Sequence, residues 1–214
     1  MTDTFRDAAA DLRYLLSKGY KRSSAVRFVA DRYGIGKTER LALYRCVYPR
    51  EVADSHFRKI VPAENLSGAA LSVDGFNVLR TVFGAMRGHP IYLCDDGFVR
   101  DISIGRRNPA IEELCKCLDL VISCICTLKP RFTVFVYDRP ISRSGDLSKR
   151  TLEAMGTKGL AGESRTSARP DSEVLSCGDV VATSDSAMIE RALRVFDLGG
   201  YIVTSRLGAL PTKI

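Results

Sequence analysis

Short apolar runs alternate with helical periodicities through residues 65–214, and few folds accommodate that alternation. LSV at 71–73, IYLC at 91–94, FTVFVY at 132–137, DVVAT at 179–183 and YIVT at 201–204 are brief and rich in aliphatic, β-branched and aromatic residues. Runs of that texture suit strands buried on both faces. Between them, Asn108-Pro109 opens a helix by capping chemistry, with Glu112 and Glu113 in its first turn. That helix continues through Leu114, Leu118, Val121, Ile122 and Ile125. Another runs from about Ser186 through Met188, Ile189, Ala192, Leu193 and Phe196. The expectation is a three-layer α/β domain with a mostly parallel central sheet. Residues 156–172, rich in Gly, Ser and Arg, read as a mobile loop.

Residues 1–64 have a different texture and are expected to form a small helical module ahead of the 65–214 domain. Phe5, Ala9, Leu12, Leu15 and Leu16 fall at helical spacing, and Gly19 ends that helix. Ser23 or Ser24 could cap a second helix, which Gly34 stops. A third fits 38–48, giving a unit that resembles a helix-turn-helix. GIGKT at 34–38 imitates the end of a phosphate-binding loop. The full pattern needs a Gly where Asp31 stands and a strand before it, so the stretch reads as a helix stop and a helix start. Residues 49–69, with Pro49, Pro62 and Gly68, read as a linker.

Charge separates the two units. Residues 1–64 hold 13 Lys/Arg against 8 Asp/Glu, and the rest holds 19 against 17. A basic unit on a near-neutral body suggests a polyanion partner, or more simply a solvated surface. No apolar run reaches the ~20 residues of a membrane span, and the N-terminus lacks the pattern of a secretory signal. The seven cysteines include no CxxC pair, which argues against zinc and for reduced, core-filling thiols in a cytoplasmic protein. Self-association is left open.

Three of the apolar runs end in an aspartate: Asp74, Asp138 and Asp185. In a parallel sheet the carboxyl ends of the strands share one edge, where ligands of open α/β sheets bind. A lone strand-end Asp more often caps a turn or a helix. Three on one edge would repel one another, and Mg²⁺ or Mn²⁺, which prefer oxygen ligands, would relieve that repulsion. Such a cluster can activate a water beside a phosphodiester. Asn77 could orient a ligand there. Ser142, Arg143 and Ser144 offer phosphate donors, and Ser184 and Ser186 flank Asp185 at a helix start. Asp95-Asp96-Gly97 reads first as a hairpin turn, with Asp96 and Asp101 as accessory acids second. His56 and His89 read as incidental.

VDGFN at 73–77, VYDRP at 136–140 and ATSDSAMI at 182–189 resemble the PIN/NYN superfamily of metal-dependent nucleases. The whole chain is also similar to a prokaryotic, largely archaeal family, DUF434, whose members join a short helical region to a PIN-like body. The resemblance implies a Mg²⁺- or Mn²⁺-dependent endoribonuclease that binds RNA. It implies Asp74, Asp138 and Asp185 as catalytic metal ligands, with Asn77 beside them. Ala187 stands where many relatives have a second late Asp, and Glu113 or Glu112 is a candidate for the helix-borne Glu of that superfamily. A non-catalytic RNA-binding protein and a nucleotide phosphohydrolase are the alternatives.

Overall fold

The computed structural model describes residues 2–102 and 109–214. Asn108, expected to cap a helix, lies outside them. Four helices come first: α1 (Asp3–Ser17), α2 (Arg22–Arg32), α3 (Lys37–Cys46) and α4 (Arg50–Phe57). Gly19 and Gly34 adopt positive φ just past α1 and α2, the conformation that lets a helix end with its last carbonyls satisfied. α2 begins a turn earlier than expected, after Lys21, so Ser23 and Ser24 lie within it and cap nothing. α4 falls inside the stretch expected to be a linker, with Pro49 at its N-cap position. Phe5, Leu12, Val26, Val29 and Leu43 form the core between the first three helices.

A short 3-10 turn (Ala63–Leu66) leads into β1 (Ala70–Asp74), α5 (Gly75–Met86), β2 (Ile91–Leu93) and β3 (Val99–Asp101). Then follow α6 (Ile111–Leu128), β4 (Phe132–Asp138), α7 (Ser144–Thr157), β5 (Gly162–Ser167) and α8 (Pro170–Ser176). The chain closes with β6 (Val180–Ala182), α9 (Ser186–Arg191), β7 (Val195–Phe196), α10 (Leu198–Ser205) and β8 (Thr212–Lys213).

The main sheet has the order β5-β4-β1-β6-β7, and every pairing in it is parallel. Alternate residues face two layers, as a strand's period of two requires. Leu71, Val73, Phe135, Tyr137, Val180 and Ala182 join the core formed with α5, α6 and α10. Val134, Val136 and Val181 face the opposite way, against Val174 of α8 and Met188 and Ile189 of α9. This is the expected α/β body.

Two segments depart from expectation. YIVT at 201–204 is helical, within α10. Asp197 caps it by accepting from Gly200 N–H at 2.9 Å, and Ile202 and Val203 are buried on one side. Capping and one-sided burial outweigh the β preference of the branched residues. The stretch 156–172 is ordered: it holds the end of α7, the edge strand β5 and the start of α8.

IYLC pairs outside the main sheet. β2 and β3 form an antiparallel hairpin, and β8 adds to β2 in parallel. The hairpin joins the two parts of the chain. Cys94 and Ile102 enter the core of the N-terminal helices, while Phe98 enters the core under α8 and α9. Arg13 of α1 grips Asp95 through two hydrogen bonds of 2.8 and 2.7 Å, and the backbone N–H of Tyr48 donates to the same carboxylate at 3.0 Å.

Candidate functional site at the carboxyl edge of the sheet

β1 is the central strand. The chain leaves it toward β4 and β5 on one side and later returns to add β6 and β7 on the other. The crevice between β1 and β6 is therefore the point where the winding reverses, the usual ligand site of such sheets. Asp74 stands there as the N-cap of α5. Its carboxylate accepts the Asn77 N–H at 3.2 Å and the Thr183 hydroxyl at 3.0 Å, so β1 and β6 are tied across the crevice. Asn77 adds a second tie: its Oδ1 accepts both the N–H of Ser184 at 2.9 Å and its hydroxyl at 3.0 Å. The amide must then turn its NH₂ away from Ser184.

The residue after Asp74 has to be glycine for a reason the sequence concealed. A Cβ at Gly75 would overlap the ring of Tyr137 on β4. The absent side chain admits that ring.

Burial pushes the Asp74 carboxyl up to about 7. The two hydrogen bonds oppose that shift, and the charges of Asp185 and Asp138 add to it. Asp138, at the end of β4, is also raised by burial and by Asp171, while Arg80 pulls it down. Asp185 is the N-cap of α9, with Oδ1 accepting from Ala187 and Met188 N–H at 2.9 and 3.1 Å. The structure thus brings the three predicted aspartates into electrostatic reach of one edge.

Arg80 was not anticipated. One helical turn beyond Asn77, its guanidinium lies over the Phe76 ring at 5.1 Å and feels both Asp138 and Asp74. Its buried Nε has no hydrogen-bond partner among the described residues. The available signal was the spacing Asp74-x-x-Asn77-x-x-Arg80, which places Asn77 and Arg80 on one face of α5.

The other predicted residues lie elsewhere or are otherwise engaged. Ser142 is exposed, and Ser144 donates to the carbonyl of Arg139 at 3.3 Å. Arg143, in a left-handed conformation, pairs with Glu112 and Asp146. Glu113 accepts the Ala110 N–H at 3.1 Å and so serves its own helix start. Ser186 approaches the Tyr48 phenol. Asp101 lies buried on β3, 3.7 Å from His89. Asp96 is fully buried, with Arg100 bonded to its two oxygens at 2.8 and 2.7 Å and His56 at 3.0 Å. Burial alone would raise Asp96, but those bonds hold it low. His56 is therefore a structural partner of the hairpin. Asp197, another strand-end acid, went unnoticed because 186–196 read as one helix.

Much of the basic charge of the helical region is used internally. Arg22 donates to the carbonyls of Tyr44 and Val47, Arg40 to Asp31, Arg45 to the carbonyl of Asp101, and Lys59 to those of Ile189 and Glu190.

Among the described residues, no three His, Cys, Asp or Glu side chains form a group ready to hold a metal ion. The donors on the edge are nonetheless hard carboxylate oxygens, and the Asp138 carboxylate accepts no hydrogen bond among the described residues. Mg²⁺ is commonly held by one or two carboxylates, with waters and phosphate oxygens completing its shell. The chemistry of this edge fits such an open site and not a closed cage.

Residues 63–201 match the family model described as Domain of unknown function (DUF5616), and residues 4–59 match Protein of unknown function (DUF434). The DUF434 likeness thus covers the N-terminal helices and not the whole chain. An uncharacterized protein of Methanocaldococcus jannaschii is 32% identical over 184 residues, spanning 86% of this chain and 88% of its own. No solved structure matches. No described helix is long and apolar enough to cross a membrane.

Proposed function

The chain belongs to the family described as Domain of unknown function (DUF5616), and on that premise we propose that it is a PIN-like, Mg²⁺- or Mn²⁺-dependent endoribonuclease acting at the β1–β6 crevice. One observation carries the reading: a buried carboxyl, Asp74, raised to about 7 at the winding reversal of a parallel sheet, with Asp138 and Asp185 adding to the rise. Perturbed acids in a cleft are the usual mark of a working site. A divalent ion held there would supply an activated water and neutralise charge developing on a phosphate.

The chain's own groups have definite tasks in this reading. Asp74, Asp138 and Asp185 provide the negative charge. Asn77, locked by Ser184, presents its NH₂ to a substrate oxygen. Arg80, with an unpartnered buried Nε, offers a donor to a phosphate. The experiment is cleavage of labelled single-stranded and structured RNA with Mn²⁺, Mg²⁺ or EDTA. Asp74→Asn and Asp138→Asn should abolish cleavage while the fold is kept. Full activity in either variant would refute the assignment.

One observation favours a second reading, an RNA-binding protein without catalysis. No metal cage is preformed among the described residues, and the neutral form of Asp74 with Arg80 nearby already satisfies much of the edge. Retention of RNA without cleavage under every divalent ion would select it.

A further inference from the structure

Beside Asp138, the carboxyl ends of β4 and β5 and the first turns of α8 enclose an open hollow of about 480 Å³. Arg139, Arg169, Ser167, Ser172 and Ser176 line it, together with Glu173. Asp138 borders it, and Asp171 of α8 lies near enough to raise the Asp138 carboxyl. Glu173 is neutralised by Arg165 at 2.5 Å. Arg139 and Arg169 are exposed, and neither guanidinium has an ion-pair partner among the described residues. Both are nevertheless fixed at their backbones: Arg139 N–H donates to the Ser167 carbonyl at 2.9 Å, and Arg169 N–H to the Ser167 hydroxyl oxygen at 3.1 Å. The Ser167 hydroxyl, accepting that bond, keeps its own proton free to donate.

We propose that this hollow is a second phosphate-binding site, which holds a backbone phosphate of the polynucleotide whose neighbouring stretch lies over Asp74. Ser176 donates to the Glu173 carbonyl, and the two unpaired guanidiniums together with the Ser167 hydroxyl match the oxygens of a phosphate diester. The position selects a chain over a small ligand. Ser167 pairs with Asp138 in register, and β4 separates β5 from β1. Asp74 pairs with Val136, so the hollow lies two strand spacings across and two residues further along, roughly 12 Å from Asp74, a gap that a strand with successive phosphates crosses and a single phosphate does not. This assignment rests on reading the crevice as a polynucleotide site, and it names the direction in which the strand runs, from β1 over β4 to β5.

The test measures binding, so it is separable from cleavage. A fluorescent single-stranded oligoribonucleotide is titrated with the full chain in EDTA over a range of salt. Arg139→Ala/Arg169→Ala should weaken binding about tenfold and lower the salt slope by about 1.4, the loss of two phosphate contacts on a single strand. Arg139→Lys/Arg169→Lys should keep the slope. Ser172→Glu, which adds a negative charge to the hollow, should weaken binding in the same direction. An Ala pair that melts like the parent yet binds with unchanged affinity and slope overturns the site. Competition by a nucleoside monophosphate as strong as that by unlabelled oligonucleotide overturns the polynucleotide assignment. If the arginine pair controls binding but the parent never cleaves RNA with Mn²⁺, the hydrolytic reading fails and this site stands.

Discussion

Arg100, buried on β3, donates through Nε to the backbone carbonyl of Ser184 at 2.8 Å. Its other two nitrogens grip Asp96, which in turn holds His56 of α4. Ser184 faces Asn77 from its N–H and hydroxyl. One guanidinium therefore connects the N-terminal helices to the back of the crevice.

Removing that cation should be costly. Arg100→Met leaves the buried Asp96 carboxylate with only the His56 ring as a side-chain partner, a loss of about 3–5 kcal/mol. Arg100→Lys should also destabilise, because the two-pronged geometry is lost. Arg100→Met/Asp96→Leu should be less damaging than Arg100→Met alone, since no charge is stranded. Urea unfolding of the three variants would decide, and additive losses would contradict the coupling.

Asp74 should lower stability as pH rises. Its folded pKa, about 7, exceeds the ordinary 3.8. Below about 4 both states are protonated and the group has no effect. Between about 4 and 7 the unfolded chain releases its proton while the folded chain keeps it, so stability falls with pH and levels off above 7. Asp74→Asn should remove this slope and stabilise the protein at pH 8 by roughly 2–3 kcal/mol, less than the ~4 kcal/mol of the full shift because Asp74 is only half-buried. Melting curves at pH 4.5 and pH 8 read the difference. Equal gains at both values would contradict the shift.

Gly75→Ala should be disruptive although glycine begins a helix there. The added methyl overlaps Tyr137, whose hydroxyl shares a hydrogen bond with Thr151 at 2.8 Å. Overpacking of this kind costs about 1–3 kcal/mol. Gly75→Ala/Tyr137→Leu should recover part of that loss in thermal unfolding. Gly145→Ala, where a Cβ meets nothing within 4 Å, serves as the control.

The N-terminal helices should be required for folding of the rest. Residues 63–214 alone would expose Cys94 and Ile102 and strip Asp95 and Asp96 of Arg13 and His56. Such a fragment should be insoluble or lack cooperative unfolding by circular dichroism. A well-folded fragment would show that the hairpin does not depend on its helical partner.

Part of this architecture could be read from residues alone. The ends of β1 and β4 were visible because each apolar run stops at an acid, whereas β6 stops at Ala182, three residues before Asp185; Gly19 and Gly34 announced two helix stops. β5 was invisible: GESRTS is an edge strand with charged and hydroxyl side chains, so no apolar run marks it. α10 was misread because Ile202, Val203 and Thr204 carry β preferences that Asp197 capping overrides. In the crevice, Asp74 and Asn77 were legible from their local motif. Arg80 and Arg100 were not, since an arginine's partners are fixed by packing across the chain. Asp96 looked like a free acid for the same reason.

The tie between Thr183 and Asp74 spans 109 residues of sequence. A ribosome delivers Asp74 those 109 residues ahead of Thr183, and a domain generally folds as a unit. A nascent chain therefore carries Asp74 long before Thr183, Ser184 and Asp185 exist to complete the crevice. Whatever chemistry the edge performs therefore waits until β6 has paired with β1.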